Sequence, residues 1–186
     1  MSQLPEDEQN VLLQIAREAV HSHLRGLAVQ TPSRDYAALN ENRSLFVSIH
    51  CDDELRGCIG TINPSGPLHR VAAECAINAA VSDPRFAPLT LNELGRVTFE
   101  ISLLSPMEQV RSEHEIEVGR HGLLITKMHA RGLLLPQVPT DHGWDRNRFL
   151  SELCRKAGLR PDDWKTGATI YRFTAQVIAE RNSQAA

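Results

Sequence analysis

The stretch from Leu55 to Gly60 combines an arginine, a thiol and two glycines within six residues. If it forms a β-strand, side chains alternate between two faces, so Arg56, Cys58 and Gly60 share one face. A guanidinium beside a thiol stabilises the thiolate and lowers the thiol pKa. The pattern therefore predicts a reactive Cys58, and Gly60, which lacks a side chain, would leave room for a ligand beside the sulfur.

The same stretch also fits a purely structural role. Free cysteine is among the residue types most often buried, and glycines inside a strand often mark a β-bulge or a close backbone approach. Cys58 could thus be a small core residue, with Gly57 and Gly60 forming a bulge. The residue types alone do not decide between the two alternatives.

The charge of Arg56 is large enough to matter if it lies close to the sulfur. A guanidinium about 4 Å away would favour the thiolate by roughly 1 to 4 kcal/mol. One pKa unit corresponds to about 1.4 kcal/mol, so the Cys58 pKa could move from about 8.5 toward neutrality. Such a thiolate could act as a nucleophile, a redox centre or a soft metal ligand.

A nucleophile also needs a group that accepts or donates a proton. Glu100 is one candidate because it lies on the polar face of a predicted strand. His121 is the other, in a turn flanked by glycines, where a surface or hinge histidine is the structural alternative. His50 and His69 are weaker candidates, and no spacing forces any of the four next to Cys58.

The segment Asp83–Pro88 contains two prolines and is predicted to be a rigid loop, because proline fixes its own φ and restricts the preceding residue. This loop would present Asp83 and Arg85 on a fixed backbone. We expect these two residues, together with Gly57 and Gly60, to contact the ligand.

Composition indicates an ordinary globular chain. The 186 residues are 41% hydrophobic and 23% charged, which fits a single domain over 1–186 with a normal core. The net charge of -3 gives no overall basic field for nucleic acid. No run approaches the about 18 apolar residues of a membrane span, and the first residues are acidic, unlike a signal peptide. We therefore expect a cytoplasmic protein that binds neither nucleic acid nor membrane.

Metal and cofactor motifs are missing from the sequence. The four cysteines, at 51, 58, 75 and 154, have no C-x-x-C spacing, and no zincin, P-loop or dinucleotide motif is present. Cys75 and Cys154 fall on apolar helical stripes and are predicted to be core residues. No cofactor or metal site is predicted, although a metal held by Cys58 with Glu100 or His121 remains a weaker alternative.

Hydrophobic periodicity predicts an α+β fold, with a mainly antiparallel sheet and covering helices. Helices are predicted over 5–24, 68–80 and 145–157, and strands over 45–50, 55–61, 97–104, 116–118, 123–128 and 169–179. The segment between the first two strands has turn chemistry, so Leu55–Gly60 is predicted to be the returning arm of a β-hairpin. Strict βαβ alternation is missing.

Seven blocks of sequence, in order, resemble the motifs of the AMMECR family, whose bacterial branch is called AmmeMemoRadiSam system protein A. The blocks are Leu55–Gly60, Asp83–Phe86, Glu100–Ser102, Gly119–Gly122, Gly132–Val138, Phe149–Leu150 and Lys156–Leu159. The resemblance runs from about Leu12 to Glu180, and ordered blocks are more specific than any single motif.

The resemblance implies an α+β fold with a larger and a smaller lobe and with Leu55–Gly60 lining a cleft between them. It implies no established reaction. Family members are associated, by fusion or gene neighbourhood, with a Memo-like protein related to extradiol dioxygenases and with a radical SAM protein, which would be partners. Two hypotheses follow: an enzyme or small-ligand protein with Cys58 as its reactive thiol, or a non-catalytic accessory module for one of those partners.

Overall fold

The computed structural model describes residues 3–29 and 36–180. The chain forms two compact units. The first comprises Met1–Leu103 with Gln176–Ala186 and is the larger, and the second comprises Leu104–Ala175. Each unit has a four-stranded sheet and its own hydrophobic core. The predicted α+β class is confirmed.

The described residues form four α-helices and eight strands. The helices are α1 (Glu6–Leu24), α2 (Leu68–Val81), α3 (Gln137–Asp141) and α4 (Arg146–Lys156). The strands are β1 (Leu45–Cys51), β2 (Glu54–Thr61), β3 (Val97–Leu104), β4 (Glu108–Gln109), β5 (Gly122–Lys127), β6 (Ala130–Leu134), β7 (Thr169–Phe173) and β8 (Ala175–Ala179). The first sheet has the order β2-β1-β3-β8 and the second the order β4-β7-β5-β6.

The predicted hairpin of β1 and β2 is confirmed, and its turn has a simple cause. Asp52 and Asp53 both have positive φ, 51° and 67°. These values fit a type I′ turn, whose twist matches that of the flanking strands and in which aspartate is tolerated. Within the described part of the chain, the hairpin makes β2 an edge strand of the first sheet, with β1 as its strand neighbour.

The core of the first unit is formed by one face of the first sheet and by helices α1 and α2. Val47 and Ile49 of β1 and Phe99 of β3 are fully or almost fully buried on this face. Helix α2 packs against β1 and β2, and its alanines let it approach closely. A Cβ atom at Gly57 would lie only 2.1 Å from the carbonyl oxygen of Ala79 in this helix, so the close approach requires glycine there.

The predicted helices α1, α2 and α4 are confirmed, with ends at or next to the expected residues. Helix α1 is followed by Gly26 with a φ of 69°, and α4 by Gly158 with a φ of 73°, as expected of glycine just beyond a helix. Asp145 caps α4 by accepting the N–H of Arg148 at 2.8 Å. Cys154 in α4 and Cys75 in α2 are both buried, so the prediction that they are core residues is confirmed.

The predicted long strand over 169–179 is wrong in one respect, because it is two strands in two different sheets. Thr174 separates β7 from β8. Its N–H bonds Ser105 Oγ and its carbonyl accepts the N–H of Ser105, both at 2.9 Å. These bonds replace sheet pairing at Thr174. The apolar pattern continues on both sides of Thr174, because Phe173 in β7 and Ile178 in β8 are both buried although they belong to different sheets. The alternation along the sequence therefore gives no sign of the break.

The predicted strand over 116–118 is also wrong. Ile116 is fully buried, but the following residues form a turn instead of pairing with a strand. The N–H of Glu117 bonds His121 Nδ1 at 3.0 Å, and the carbonyl of Glu117 accepts the N–H of His121 at 2.9 Å. The short helix α3 was not predicted, because it has only five residues and contains Pro139.

Among the helices of residues 3–29 and 36–180, none has the length and apolar character needed to cross a membrane.

Candidate functional site

Cys58 lies on the edge strand β2, directly opposite Ser48 of β1. Its N–H points away from β1 and donates to Asp83, so Cys58 and Ser48 form a non-hydrogen-bonded pair, in which side chains lie closest. The hydroxyl of Ser48 donates to Cys58 Sγ at 3.3 Å. The thiol therefore has Ser48 as its polar partner, on the sheet face opposite helix α2.

The carboxylate of Asp83 binds the main chain of Cys58. Oδ2 accepts the N–H of Cys58 at 2.9 Å, and Asp83 is only 4% exposed. Asp83 lies in the loop that follows α2, which the two prolines predicted to be rigid. Hydrogen bonds from the Arg85 side chain hold the pKa of Asp83 well below its usual value against the effect of burial, helped by the N–H groups of Cys58 and Arg85. Asp83 is therefore a carboxylate at any ordinary pH.

Arg85 completes this arrangement at the free edge of β2. Its Nε and Nη2 donate to the two carboxylate oxygens of Asp83 at 2.9 and 2.6 Å. Nη2 also donates to the carbonyl oxygen of Cys58 at 3.4 Å. Both main-chain groups of Cys58 that face outward are thus bonded to side chains of one loop, which protects the strand edge. The Arg85 side chain remains 50% exposed.

Arg56 has a different role from the one predicted. The pairing of β1 and β2 shifts between Ile49 and His50, so Arg56 is the extra residue of a β-bulge. Its Nε donates to Glu93 at 2.9 Å, and its Nη1 and Nη2 donate to the carbonyls of Ala87 at 2.8 Å and Pro88 at 3.4 Å. These bonds tie the strand to the loop that carries Arg85.

The predicted direction of the Cys58 pKa shift is wrong. Burial raises the pKa of the thiol, and the hydrogen bond from Ser48 and the charge of Arg85 oppose this only in part. The charges of Asp83 and Glu100 raise it further. The cation that acts on Cys58 is Arg85 rather than Arg56, and the resting group is a neutral thiol.

The two glycines have packing reasons of their own. Gly57 faces helix α2, on the side of the sheet opposite the thiol. A Cβ at Gly60 would lie 2.3 Å from Cγ of Phe46, so the ring of Phe46 occupies the space predicted for a ligand beside Gly60. Contact of either glycine with a ligand stays a prediction.

Glu100 lies on the same sheet face as Cys58, two strands away. Ser48 is opposite Cys58 in β2 and opposite Glu100 in β3, so the three residues form one row across the sheet. No residue of the described chain donates a hydrogen bond to the Glu100 carboxylate. Glu100 lines a cavity of about 280 Å³ together with His50 and Thr98.

His121 lies in the second unit and is buried, 6% exposed, rather than on the surface. Its Nδ1 accepts the N–H of Glu117 at 3.0 Å, so the neutral ring carries its proton on Nε2. Burial lowers the pKa of His121, and the positive charge of Arg172 lowers it further. Its role as a proton partner of Cys58 stays a prediction.

Two serines on the thiol face were not predicted as site residues. Ser48 binds the sulfur, and Ser102 follows Glu100 by two residues on the same face of β3. Ser102 is 2% exposed, and its hydroxyl has no hydrogen-bond partner among the described residues. The alternation of Ser48 between Val47 and Ile49, combined with the hairpin turn, was the signal that could have placed it beside Cys58.

The described residues offer no support for the metal alternative. Within 3–29 and 36–180, no group of three or more histidine, cysteine, aspartate or glutamate side chains could hold a metal ion. A protein metal site needs several such ligands around one point.

The AMMECR1 family model matches residues 13–178. The chain is 42% identical over 183 residues to Protein MJ0810 of Methanocaldococcus jannaschii, covering 94% of this chain and 90% of that protein. It is 44% identical over 198 residues to a protein of Thermofilum pendens, covering 97% of this chain and 93% of that one.

The crystal structure of the uncharacterized protein PH0010 from Pyrococcus horikoshii has the same fold, with a TM-score of 0.91, 37% identity and coverage of 96% of this chain and 94% of that chain. These three relatives are archaeal, so they support the predicted family but not its bacterial branch. The chain belongs to the AMMECR1 family.

Proposed function

We propose that the first unit binds a small ligand at Cys58 and that Arg85 anchors an anionic group of this ligand. The observation that carries the proposal is the fixed position of Arg85. Its Nε and Nη2 are bound to the buried Asp83, while Nη1 has no hydrogen-bond acceptor among the described residues. A guanidinium that is already oriented and half exposed loses little freedom when it binds a carboxylate or phosphate.

The thiol of Cys58 would contact the ligand as a neutral group. Because the Cys58 pKa is raised, a nucleophilic role would require a proton acceptor that the ligand or Glu100 supplies after binding. Ligand binding is therefore the primary function in this proposal, and catalysis would depend on it. We also propose a cytoplasmic location, where four free cysteines would stay reduced.

The proposal can be tested with two alkylating reagents that differ mainly in charge, the anionic iodoacetate and the neutral iodoacetamide. Mass spectrometry gives the rate of each at Cys58 and, as an internal reference, at the partly exposed Cys51. An anion site predicts a higher ratio of the iodoacetate rate to the iodoacetamide rate at Cys58 than at Cys51. Arg85→Gln should remove this preference, and Arg85→Lys, which keeps the charge, should retain part of it.

A matched control is Arg70→Gln, because Arg70 is exposed on α2 and ion-paired with Glu74. It should leave the reagent preference at Cys58 unchanged. An equal preference at both cysteines of the unmodified protein, or a preference at Cys58 that Arg85→Gln does not reduce, would refute the anion site.

A second proposal is an accessory module that docks a Memo-like protein or a radical SAM protein, as the AmmeMemoRadiSam association implies. The raised pKa of Cys58 favours it, since a docking surface needs no reactive thiolate. Co-purification with either partner that survives both Cys58→Ser and Arg85→Gln would support it. Failure of the unmodified protein to bind either partner would count against it.

A further inference from the structure

Arg43 is a buried arginine without a counterion. It is 6% exposed, although arginine is rarely buried in proteins unless it is paired. Its Nε is fully enclosed, and no hydrogen bond or salt bridge joins any of its three nitrogens to another described residue. Burial lowers the pKa of Arg43, and the negative charge of Glu41 offsets this only in part. The guanidinium therefore lacks an anion that would compensate for its burial.

Residues on both sides of Arg43 are bonded to the segment that leads into helix α2. The carbonyl of Glu41 accepts the N–H of Leu68, the first residue of α2, at 2.9 Å. The hydroxyl of Ser44 donates to the carbonyl of Ile62 at 3.1 Å. Arg43 therefore lies beside the start of α2.

The side chain of Arg43 extends the buried face of β1. Burial alternates from Arg43 through Leu45 to Val47, with less buried residues between them. Because side chains alternate along an extended chain, the three share one face. Leu45 and Val47 belong to the core on the face that packs against α2. Arg43 thus points toward the first turn of α2, on the sheet face opposite Cys58, so it is separate from the ligand site proposed above.

The start of α2 favours a negative charge. The N–H groups in the first turn of a helix carry partial positive charge and lack acceptors within the helix. Pro67, at the N-cap, provides no capping side chain, and the first turn contains no acidic residue. The N–H of His69 has no acceptor among the described residues. Such helix starts commonly bind phosphate groups.

Phosphate is the anion that fits both features. A guanidinium donates paired N–H groups to two oxygens of an oxyanion. Phosphate has further oxygens that can accept a helix N–H at the same time, whereas a carboxylate has only two. We propose that Arg43 and the first turn of α2 form a phosphate site, which takes inorganic phosphate or the phosphate group of a small molecule.

The effect of Arg43→Met on thermal stability should depend on the buffer. In chloride, the variant should melt at the same or a higher temperature than the unmodified protein, because it removes a buried, unpaired charge. In inorganic phosphate at the same ionic strength, the unmodified protein should melt at the higher temperature, because bound phosphate stabilises its folded state. The control Arg25→Met removes an exposed charge at the end of α1 and should respond to phosphate as the unmodified protein does.

Isothermal titration calorimetry with inorganic phosphate measures the affinity directly. Arg43→Met should weaken binding at least about tenfold, the effect of losing hydrogen bonds to a charged group. Glu41→Gln should instead tighten binding by up to about fivefold, because the charge of Glu41 repels the anion. Arg25→Met should leave the affinity unchanged.

Glycerol phosphate and acetate are the further probes. Binding of glycerol phosphate at least as tight as that of inorganic phosphate would support a phosphorylated small molecule as the ligand, and weaker binding would support the free ion. Equal binding of acetate would overturn the choice of phosphate. The site itself would be overturned by no measurable phosphate binding or by phosphate binding that Arg43→Met does not weaken. An equal loss of melting temperature by Arg43→Met in both buffers would also overturn it.

Discussion

The carboxylate of Asp83 accepts a hydrogen bond from the backbone N–H of Cys58 at 2.9 Å. Cys58 is in an edge strand, so its outward N–H and carbonyl face no neighbouring strand among residues 3–29 and 36–180. Asp83 supplies an acceptor and Arg85 a donor in its place. Two side chains therefore bind the backbone of Cys58 where a neighbouring strand would otherwise bind it, and this fixes the position of the thiol.

Asp83→Ala should destabilise the protein by about 2 kcal/mol, because it leaves the N–H of Cys58 and the guanidinium of Arg85 without their acceptor. Urea denaturation followed by circular dichroism measures the change. Glu74→Ala, which removes an exposed ion pair on α2, should change stability by no more than about 0.5 kcal/mol. Equal effects of the two substitutions would contradict the role of Asp83.

The low pKa of Asp83 makes this contribution dependent on pH. Since the folded-state pKa lies well below the unfolded value of about 3.9, the contribution is fully present well above pH 4, begins to fall near pH 4 and is lost as the pH falls further toward the folded-state pKa. The free energy of unfolding, measured from pH 6 to pH 3, should therefore fall less steeply in Asp83→Asn than in the unmodified protein. Parallel curves would show that Asp83 is not the group responsible.

Cys58 should be a slow nucleophile at neutral pH. Because burial raises its pKa, its rate of alkylation by iodoacetamide should keep rising above about pH 8.5, the pKa of an unperturbed thiol. Ser48→Ala should raise the pKa further, because the hydroxyl of Ser48 donates to the sulfur. A plateau of the rate near pH 7 would instead show the lowered pKa that Arg56 was expected to cause.

Gly57→Ala should destabilise the protein by about 1 to 3 kcal/mol, the usual effect of an overpacked core. The added methyl group would lie 2.1 Å from the backbone oxygen of Ala79, which cannot move without shifting helix α2. Gly95→Ala is the control, because a Cβ there meets no atom within 4 Å. Thermal unfolding of the two variants tests the difference, and equal melting temperatures would contradict it.

Local patterns in the sequence were sufficient to predict the hairpin and the polar face of the strand that carries Glu100. Alternation along Leu45–His50, with turn residues after it, predicts both strands and their antiparallel pairing. Glu100 was assigned to a polar strand face for the same reason. These features depend on neighbouring residues in the chain, so a pattern of period two is sufficient to find them.

The groups that surround Cys58 could not be predicted from local patterns. The bulge at Arg56 is stabilised by the carbonyls of Ala87 and Pro88 and by Glu93, all of which are distant in the sequence. The sign of the Cys58 pKa shift depends on burial, which only the packed structure determines. Arg85 was expected to line the site. That it binds Asp83, which in turn accepts the backbone N–H of Cys58, depends on the tertiary fold.

The central claim is that Arg85 makes the surroundings of Cys58 attractive to anions. The most direct test is the ratio of iodoacetate to iodoacetamide rates at Cys58, compared between the unmodified protein and Arg85→Gln at low ionic strength. One unit charge about 4 Å away contributes about 1 kcal/mol in water, so the ratio should fall roughly fivefold. An unchanged ratio in Arg85→Gln, with the fold intact by circular dichroism, would contradict the claim.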